Sequence, residues 1–213
     1  MNYRLEKIFS AIPKCKIFAD IGCDHGYITK AMVESGKCER AILSDVSEKC
    51  LIKATTLLKD YIESGVVSGV VSNGFERVDG CDLALIAGMG GEEIVSILTA
   101  AKNLPDKLVL QPMKNPDKVR VCAVKLGYRI DSDSVFFSGD KYYDIMVLSK
   151  GDDYLSAEEI EFGRTNVLNP SEDFKRLITE RLQIIDECLS KDNLSVRARE
   201  ELTAKADKLK KYV

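Results

Sequence analysis

Between Phe18 and Tyr27 the chain reads FADIGCDHGY, which brings two acids (Asp20, Asp24), two glycines (Gly22, Gly26), Cys23 and the chain's single histidine (His25) together. Glycine has no Cβ, so it lets the backbone turn tightly and approach a ligand closely. The acids decide which ligand: carboxylates in such a loop repel a pyrophosphate and favour a group carrying positive charge. A further acid, Asp45, followed by Val46, stands 45 − 22 = 23 residues after Gly22, where a carboxylate can accept hydrogen bonds from ribose hydroxyls. Asn73-Gly74-Phe75 offers an amide and an aromatic ring, or a plain turn. Gly88-Met89-Gly90-Gly91 leaves room for a second reactant, which Gln111, next to Pro112, could also reach. His25 could move a proton, although no serine or cysteine near it in sequence suggests a nucleophilic triad.

Positions so far apart need elements that carry them to one edge. KIFADIG (16–22), RAILSD (40–45), VVSGVVS (66–72), DLALIAG (82–88) and KLVLQP (107–112) are apolar runs of strand length, and the residues above stand at their ends. The intervening spacing predicts helices from about Tyr27 to Ser35, from Ser47 to Ile62 with Ser47 as N-cap, from Glu92 to Ala101 and from Pro116 to Leu126. A short helix carrying Leu5, Ile8, Phe9 and Ile12 opens the chain and ends at Pro13. Alternating strands and helices imply βαβ units and a parallel sheet covered on both faces, with ligands at its carboxyl edge. YRIDSDSVFF (128–137) and KYYDIMVLSK (141–150) are separated by Ser138-Gly139-Asp140 alone, which joins antiparallel neighbours. The expectation is an α/β, Rossmann-like, mostly parallel sheet of six or seven strands with a terminal antiparallel hairpin.

After Lys150 the pattern is helical. Ser156-Ala157-Glu158-Glu159 fits a capping box, Pro170 interrupts, and from Ser171 onward Phe174, Leu177, Ile178, Leu182, Ile185 and Leu189 form an apolar stripe. Residues 195–213 continue as a more polar helix, so the stripe serves either an antiparallel helix pair or packing against the sheet. Residues 1–150 are expected to form one domain and residues 151–213 a helical C-terminal subdomain.

Composition bounds the function. With 45% apolar and 31% charged residues in 213, the chain folds and is not disordered. It holds no apolar run of membrane-spanning length and no signal-like start, which predicts a cytoplasmic protein without membrane contact. Seven scattered cysteines with no two-residue pair spacing predict reduced thiols and no metal site. Lys+Arg against Asp+Glu is 20 to 20 over residues 1–150, 1 to 7 over 151–173 and 10 to 7 over 174–213, leaving a mildly basic tail.

S-adenosylmethionine has the ammonium and sulfonium that acids favour, and a carboxylate suited to a helix N-terminus. For it the reading assigns Asp20, Gly22, Cys23, Asp24, Gly26, Asp45, Val46, Asn73, Gly74, Phe75, Gly88 and Met89. Gly90, Gly91, Gln111 and Pro112 are left for the methyl acceptor, with Asp20, Asp24 and His25 as candidate catalytic residues. A dinucleotide oxidoreductase is disfavoured, because Asp24 stands inside the loop where a Gly-x-Gly-x-x-Gly run is needed.

Through Arg4-Leu5, ADIGCDHGY (19–27), Asp45, NGFE (73–76), IAGMGGEEI (86–94), LQP (110–112) and KYYDIMV (141–147), the chain resembles the TrmK family of bacterial tRNA adenine-22 N1 methyltransferases. The resemblance implies a class I methyltransferase domain that binds S-adenosylmethionine and a coiled-coil-like C-terminal subdomain that helps hold tRNA. Family members usually carry Asp-Gly where this chain has Asn73-Gly74. Adenine N1 has an in-plane lone pair and needs no deprotonation, so alignment is expected to dominate over base catalysis. The alternatives are a small-molecule methyltransferase and a non-catalytic tRNA-binding protein retaining the fold.

Overall fold

A computed structural model describes residues 1–191 and 193–213. Its strands are β1 (Ile17–Ile21), β2 (Arg40–Asp45), β3 (Val67–Val71), β4 (Leu83–Met89), β5 (Lys107–Pro112), β6 (Tyr128–Ser138) and β7 (Lys141–Lys150). They form one sheet in the order β3-β2-β1-β4-β5-β7-β6. The pairs among β1 to β5 are parallel, and β7 runs antiparallel to both of its neighbours. Strand order reverses between β1 and β4, which opens a crevice at the carboxyl edge.

The helices are α1 (Tyr3–Ala11), α2 (Tyr27–Glu34), α3 (Glu48–Leu57), α4 (Lys59–Glu63), α5 (Gly91–Ala100), α6 (Pro116–Lys125), α7 (Ala157–Phe162), α8 (Arg164–Leu168), α9 (Glu172–Leu189) and α10 (Val196–Lys210). Successive strand residues feed opposite cores. Phe18, Leu43, Leu83 and Val109 pack with Ile8, Met32 and Leu51 on one face, whereas Ala19, Ala84, Leu108 and Leu110 pack with Ile94 and Val119 on the other. Burial on both faces is why these strands read as continuous apolar runs.

Three local expectations need correction. The helix expected from Ser47 to Ile62 is two helices, since Leu58 leaves the helical region (φ −107°, ψ 23°) while its side chain is fully buried in the first core. The Ser47 cap itself forms, its Oγ accepting from Cys50 N–H. The capping box at Ser156 and Glu159 also forms, but the helix it starts breaks at Gly163, whose φ is +86°. A Cβ at Gly163 would lie 2.7 Å from Asp133 Oδ2 and 2.9 Å from Arg120 Nη2. The β6–β7 turn is tighter than expected: Ser138 pairs with Lys141, leaving Gly139-Asp140 as a two-residue loop with Gly139 at φ +66°.

Both roles left open for the C-terminal stripe are realised. Phe174, Ile178 and Ile185 of α9 pack with Ala206 and Leu209 of α10, and the same cluster includes Val135 of β6. Phe162, Phe174 and Tyr212 meet edge to face with centroids 5.4–5.9 Å apart. Beneath them Arg120 of α6 is fully buried. Its Nε donates to Asp133 Oδ2 (3.0 Å), its Nη2 to Asp144 Oδ1 (2.6 Å) and its Nη1 to Ile160 O (3.1 Å), while Thr165 N–H donates to Asp133 Oδ1 (2.8 Å). One guanidinium thus ties α6, both hairpin strands and the C-terminal helices together.

Among the described residues no helix is long and apolar enough to cross a membrane, and no three His, Cys, Asp or Glu side chains gather as a metal site. All seven cysteines are free; Cys23, Cys38 and Cys122 are buried and the others half-buried.

Candidate functional site

The carboxyl ends of β1, β2 and β4 and the start of α1 enclose a cleft of about 480 Å³. Where β1 ends, Gly22 takes φ +75°, and the N–H groups of Gly22 and Cys23 both donate to Ser44 O (2.7 and 3.0 Å). This fastens the loop to β2. Asp45, at the end of β2, accepts from Asp24 N–H on Oδ2 (3.1 Å) and from Ser47 N–H on Oδ1 (2.8 Å). Each of its oxygens therefore has one lone pair left for a ligand.

Gly22 is required twice over, by its left-handed backbone and because a Cβ there would collide with Met89 Cε. Gly22→Ala is expected to lower stability by about 1–3 kcal/mol, the range for a strained non-glycine residue, read as a reduced urea midpoint.

Asp20 is 5% exposed and accepts from Thr29 Oγ1 (2.8 Å). Burial pushes its carboxyl up to about 6; the Thr29 hydrogen bond opposes that shift and nearby Asp45 adds to it. Asp24 has a left-handed backbone (φ +44°) and its Oδ2 lies 2.7 Å from His25 Nδ1. The His25 ring lies parallel to that of Tyr27, with centroids 5.6 Å apart, and half of Tyr27 is exposed at the cleft. Past β3, Asn73 Nδ2 donates to Glu76 Oε1 (3.1 Å), which leaves Oδ1 free to accept.

The far wall comes from α1. Arg4 donates through Nε and Nη2 to Gln111 Oε1 (2.9 and 2.6 Å), and its Cζ stands 5.4 Å from the Tyr143 ring centroid. Gly88, at φ +82°, makes room for it, since a Cβ there would sit 2.9 Å from Arg4 Nη2.

Of the residues singled out in the sequence, Asp20, Gly22, Cys23, Asp24, His25, Asp45, Val46, Asn73, Gly74, Gly88 and Met89 line this cleft. The others lie behind it. Gly26 (φ +72°) starts α2 directly over Ala54 and Leu58, where a Cβ would come within about 3.0 Å of each. Phe75 is buried in the second core, below the wall. Gly90 and Gly91 join α5 to the loop before α6: Gly91 N–H donates to Lys114 O, and a Cβ on Gly91 would lie 2.5 Å from Asn115 O. Gln111 and Pro112 are buried, and Gln111 meets the cleft only through Arg4. Asn2 and Ile97 also line the cleft without any sign in the sequence, whereas Arg4, Tyr27 and Glu93 stand within the motifs that carry the family resemblance but had no role assigned.

A family model described as a methyltransferase domain matches residues 1–146. A Mycoplasma pneumoniae relative, provisionally named a tRNA methyltransferase, is 34% identical over 56% of this chain and 58% of its own length. The tRNA (adenine(22)-N(1))-methyltransferase of Bacillus subtilis is 27% identical over 71% of this chain and 66% of its own. The chain thus matches less than two thirds of the length of these curated relatives. The solved structure of Streptococcus pneumoniae Sp1610, provisionally assigned as a tRNA (m1A22) methyltransferase, superposes with a TM-score of 0.88 at 26% identity, covering 100% of this chain and 99% of that one. The same protein has been solved with S-adenosyl-L-methionine. With a methyltransferase-domain match over most of its length, and with TrmK-type proteins among its relatives and structural neighbours, this chain belongs to the methyltransferase-domain family.

Proposed function

We propose that the chain is an S-adenosylmethionine-dependent methyltransferase that places a methyl group on N1 of adenine 22 in tRNA, acting in the cytoplasm. The observation that carries this reading is the pairing of a buried acid, Asp20, with a strand-end acid, Asp45, on either side of the Gly22 turn. The donor set suits the cofactor. Asp20 and Asp24 offer negative charge to its ammonium and sulfonium, Asp45 has lone pairs for ribose hydroxyls, and Asn73 Oδ1 can accept from the adenine amino group. Bound there, the cofactor supplies an electrophilic methyl group.

The remaining work is alignment. Adenine N1 attacks through an in-plane lone pair, so no side chain has to remove a proton first. Tyr27 presents a half-exposed ring at the cleft mouth, an apolar face for a base drawn out of the tRNA stack. The acids of the loop oppose the positive charge that methylation leaves on the ring. His25, paired with Asp24 and half exposed, helps shape the loop.

Residues 151–213 serve as the RNA-holding subdomain, with phosphate contacts from basic side chains of α9 and α10. Raising salt from about 50 to 200 mM is expected to weaken tRNA binding by tenfold or more, with a log–log slope near −0.9 per phosphate contact, and to change cofactor affinity little. The deciding experiment incubates the protein with methyl-labelled cofactor and unmodified tRNA, then digests the RNA to nucleosides. Label in 1-methyladenosine is expected; label on N6 or in another base would sink the N1 assignment. Label confined to small metabolites would favour a small-molecule enzyme.

A further inference from the structure

The amino edge of the sheet, opposite the cleft, carries side chains that methyl transfer does not use. Cys15, Cys38 and Cys81 stand just before β1, β2 and β4, three neighbouring strands of the parallel sheet. The β1–β2 register pairs Ile17 with Arg40, and two residues back it sets Cys15 opposite Cys38. Backbone bonds hold the two approaches together there: Cys15 N–H donates to Lys37 O (3.0 Å) and Glu39 N–H to Lys16 O (3.0 Å). Parallel neighbours run about 4.8 Å apart, within the Cα separation that a disulfide spans. Both side chains also turn to one face, since Cys38 is buried in the first core and Cys15 packs against it. Cys81 packs against the second core, on the other face, and the β1–β4 register sets it opposite Lys16.

We propose that Cys15 and Cys38 form a redox latch, a disulfide that closes in the presence of a peroxide and opens when a small thiol is supplied. Closure takes two steps. Half-buried Cys15 meets hydrogen peroxide first; its sulfur takes one oxygen as a sulfenic acid, and the other oxygen leaves as water. The Cys38 sulfur then displaces that hydroxyl, which forms the S–S bond and releases a second water. Two protons and two electrons have passed from the thiols to the peroxide. Burial pushes the Cys15 thiol up to about 12, helped by Cys38, Asp82 and Cys81 and opposed by Lys107, and it pushes Cys38 up to about 11. The attacking thiolate is therefore scarce at neutral pH, and the latch closes slowly there. Its ring holds residues 16–37, which include β1, the Gly22 loop and α2. Neither cysteine lines the cleft, so the latch fastens the unit that carries the cofactor loop without altering the ligand site.

Treating the intact chain with hydrogen peroxide, then blocking free thiols, digesting without reductant and weighing the peptides by mass spectrometry tests this. Peptides joined through Cys15 and Cys38 are expected, formed about tenfold faster for each pH unit above neutrality, and dithiothreitol should separate them. The oxidised chain should melt about 5–10 °C above the reduced one, as for a ring of this length. Cys15→Ser and Cys38→Ala should each abolish the product, whereas Cys81→Ala should leave it; the wild-type peptides decide the pairing alone if a variant fails to fold. A bridge from Cys15 to Cys81, or sulfinic acid on Cys15 with no bridge, would overturn the proposal. No reaction in alkaline peroxide would do the same, and so would a bridge that lowers the melting temperature, since it would then be strained by the fold and not held ready by it.

Discussion

Asp20→Asn is expected to bind S-adenosylmethionine about 10- to 100-fold more weakly than wild type, by loss of one charge-assisted contact, while unfolding at a higher temperature. The two effects share one cause. Burial raises the Asp20 carboxyl to about 6 in the folded protein, so the ionised form is disfavoured by the fold. A raised folded pKa means that stability is fully present below the unfolded value near 3.8 and is lost as pH rises through about 6. At pH 7 the ionised group therefore costs on the order of 3 kcal/mol, which a neutral amide of the same shape avoids. Ligand binding runs the other way, because a cationic cofactor needs the carboxylate. Wild-type affinity should fall toward tenfold per pH unit below about 6. The Asp20→Asn profile should be flat there; a sloping one would place the titrating group elsewhere.

Arg120→Met should lower the unfolding free energy by about 3–5 kcal/mol, the cost of stranding the buried partner, Asp133, of an ion pair. Asp133 would keep one N–H donor, from Thr165, and Asp144 would lose its guanidinium although burial already pushes its carboxyl upward. Denaturant titration of the whole chain measures this. Replacing Arg120, Asp133 and Asp144 together by apolar residues of similar size should recover much of the loss, because no buried charge is then left alone. Failure of that rescue would mean that the bonds to Ile160 O and Thr165 matter more than charge balance.

The strand ends were legible because the sheet is buried on both faces. Each central strand is an apolar run whose last residue must be at the carboxyl edge, so Asp20, Asp45 and Gly88 could be placed without coordinates. Depth within that edge was not legible. Gln111 stands at a strand end as clearly as Asp45 does, and Phe75 lies in the loop just past β3, yet Phe75 faces the second core and Gln111 is covered by α1. Neither fact has a sequence period. Arg4 meets Gln111 across 107 residues, a contact local patterning cannot encode. The breaks at Leu58 and Gly163 were missed for the same reason: each is set by what lies against the helix, the first core in one case and the Arg120 cluster in the other.

The reversed strand β7 also governs the order in which the protein can assemble. In the sheet it lies between β5 and β6, although both precede it in the chain. Until residue 150 has left the ribosome, β5 therefore offers an unpaired edge, the kind of surface on which nascent chains pair wrongly. The two-residue turn at Gly139-Asp140 shortens that exposure. Two-residue hairpins of this kind form within about 1–10 μs, and the short loop lets β7 be paired with β6 before it meets β5.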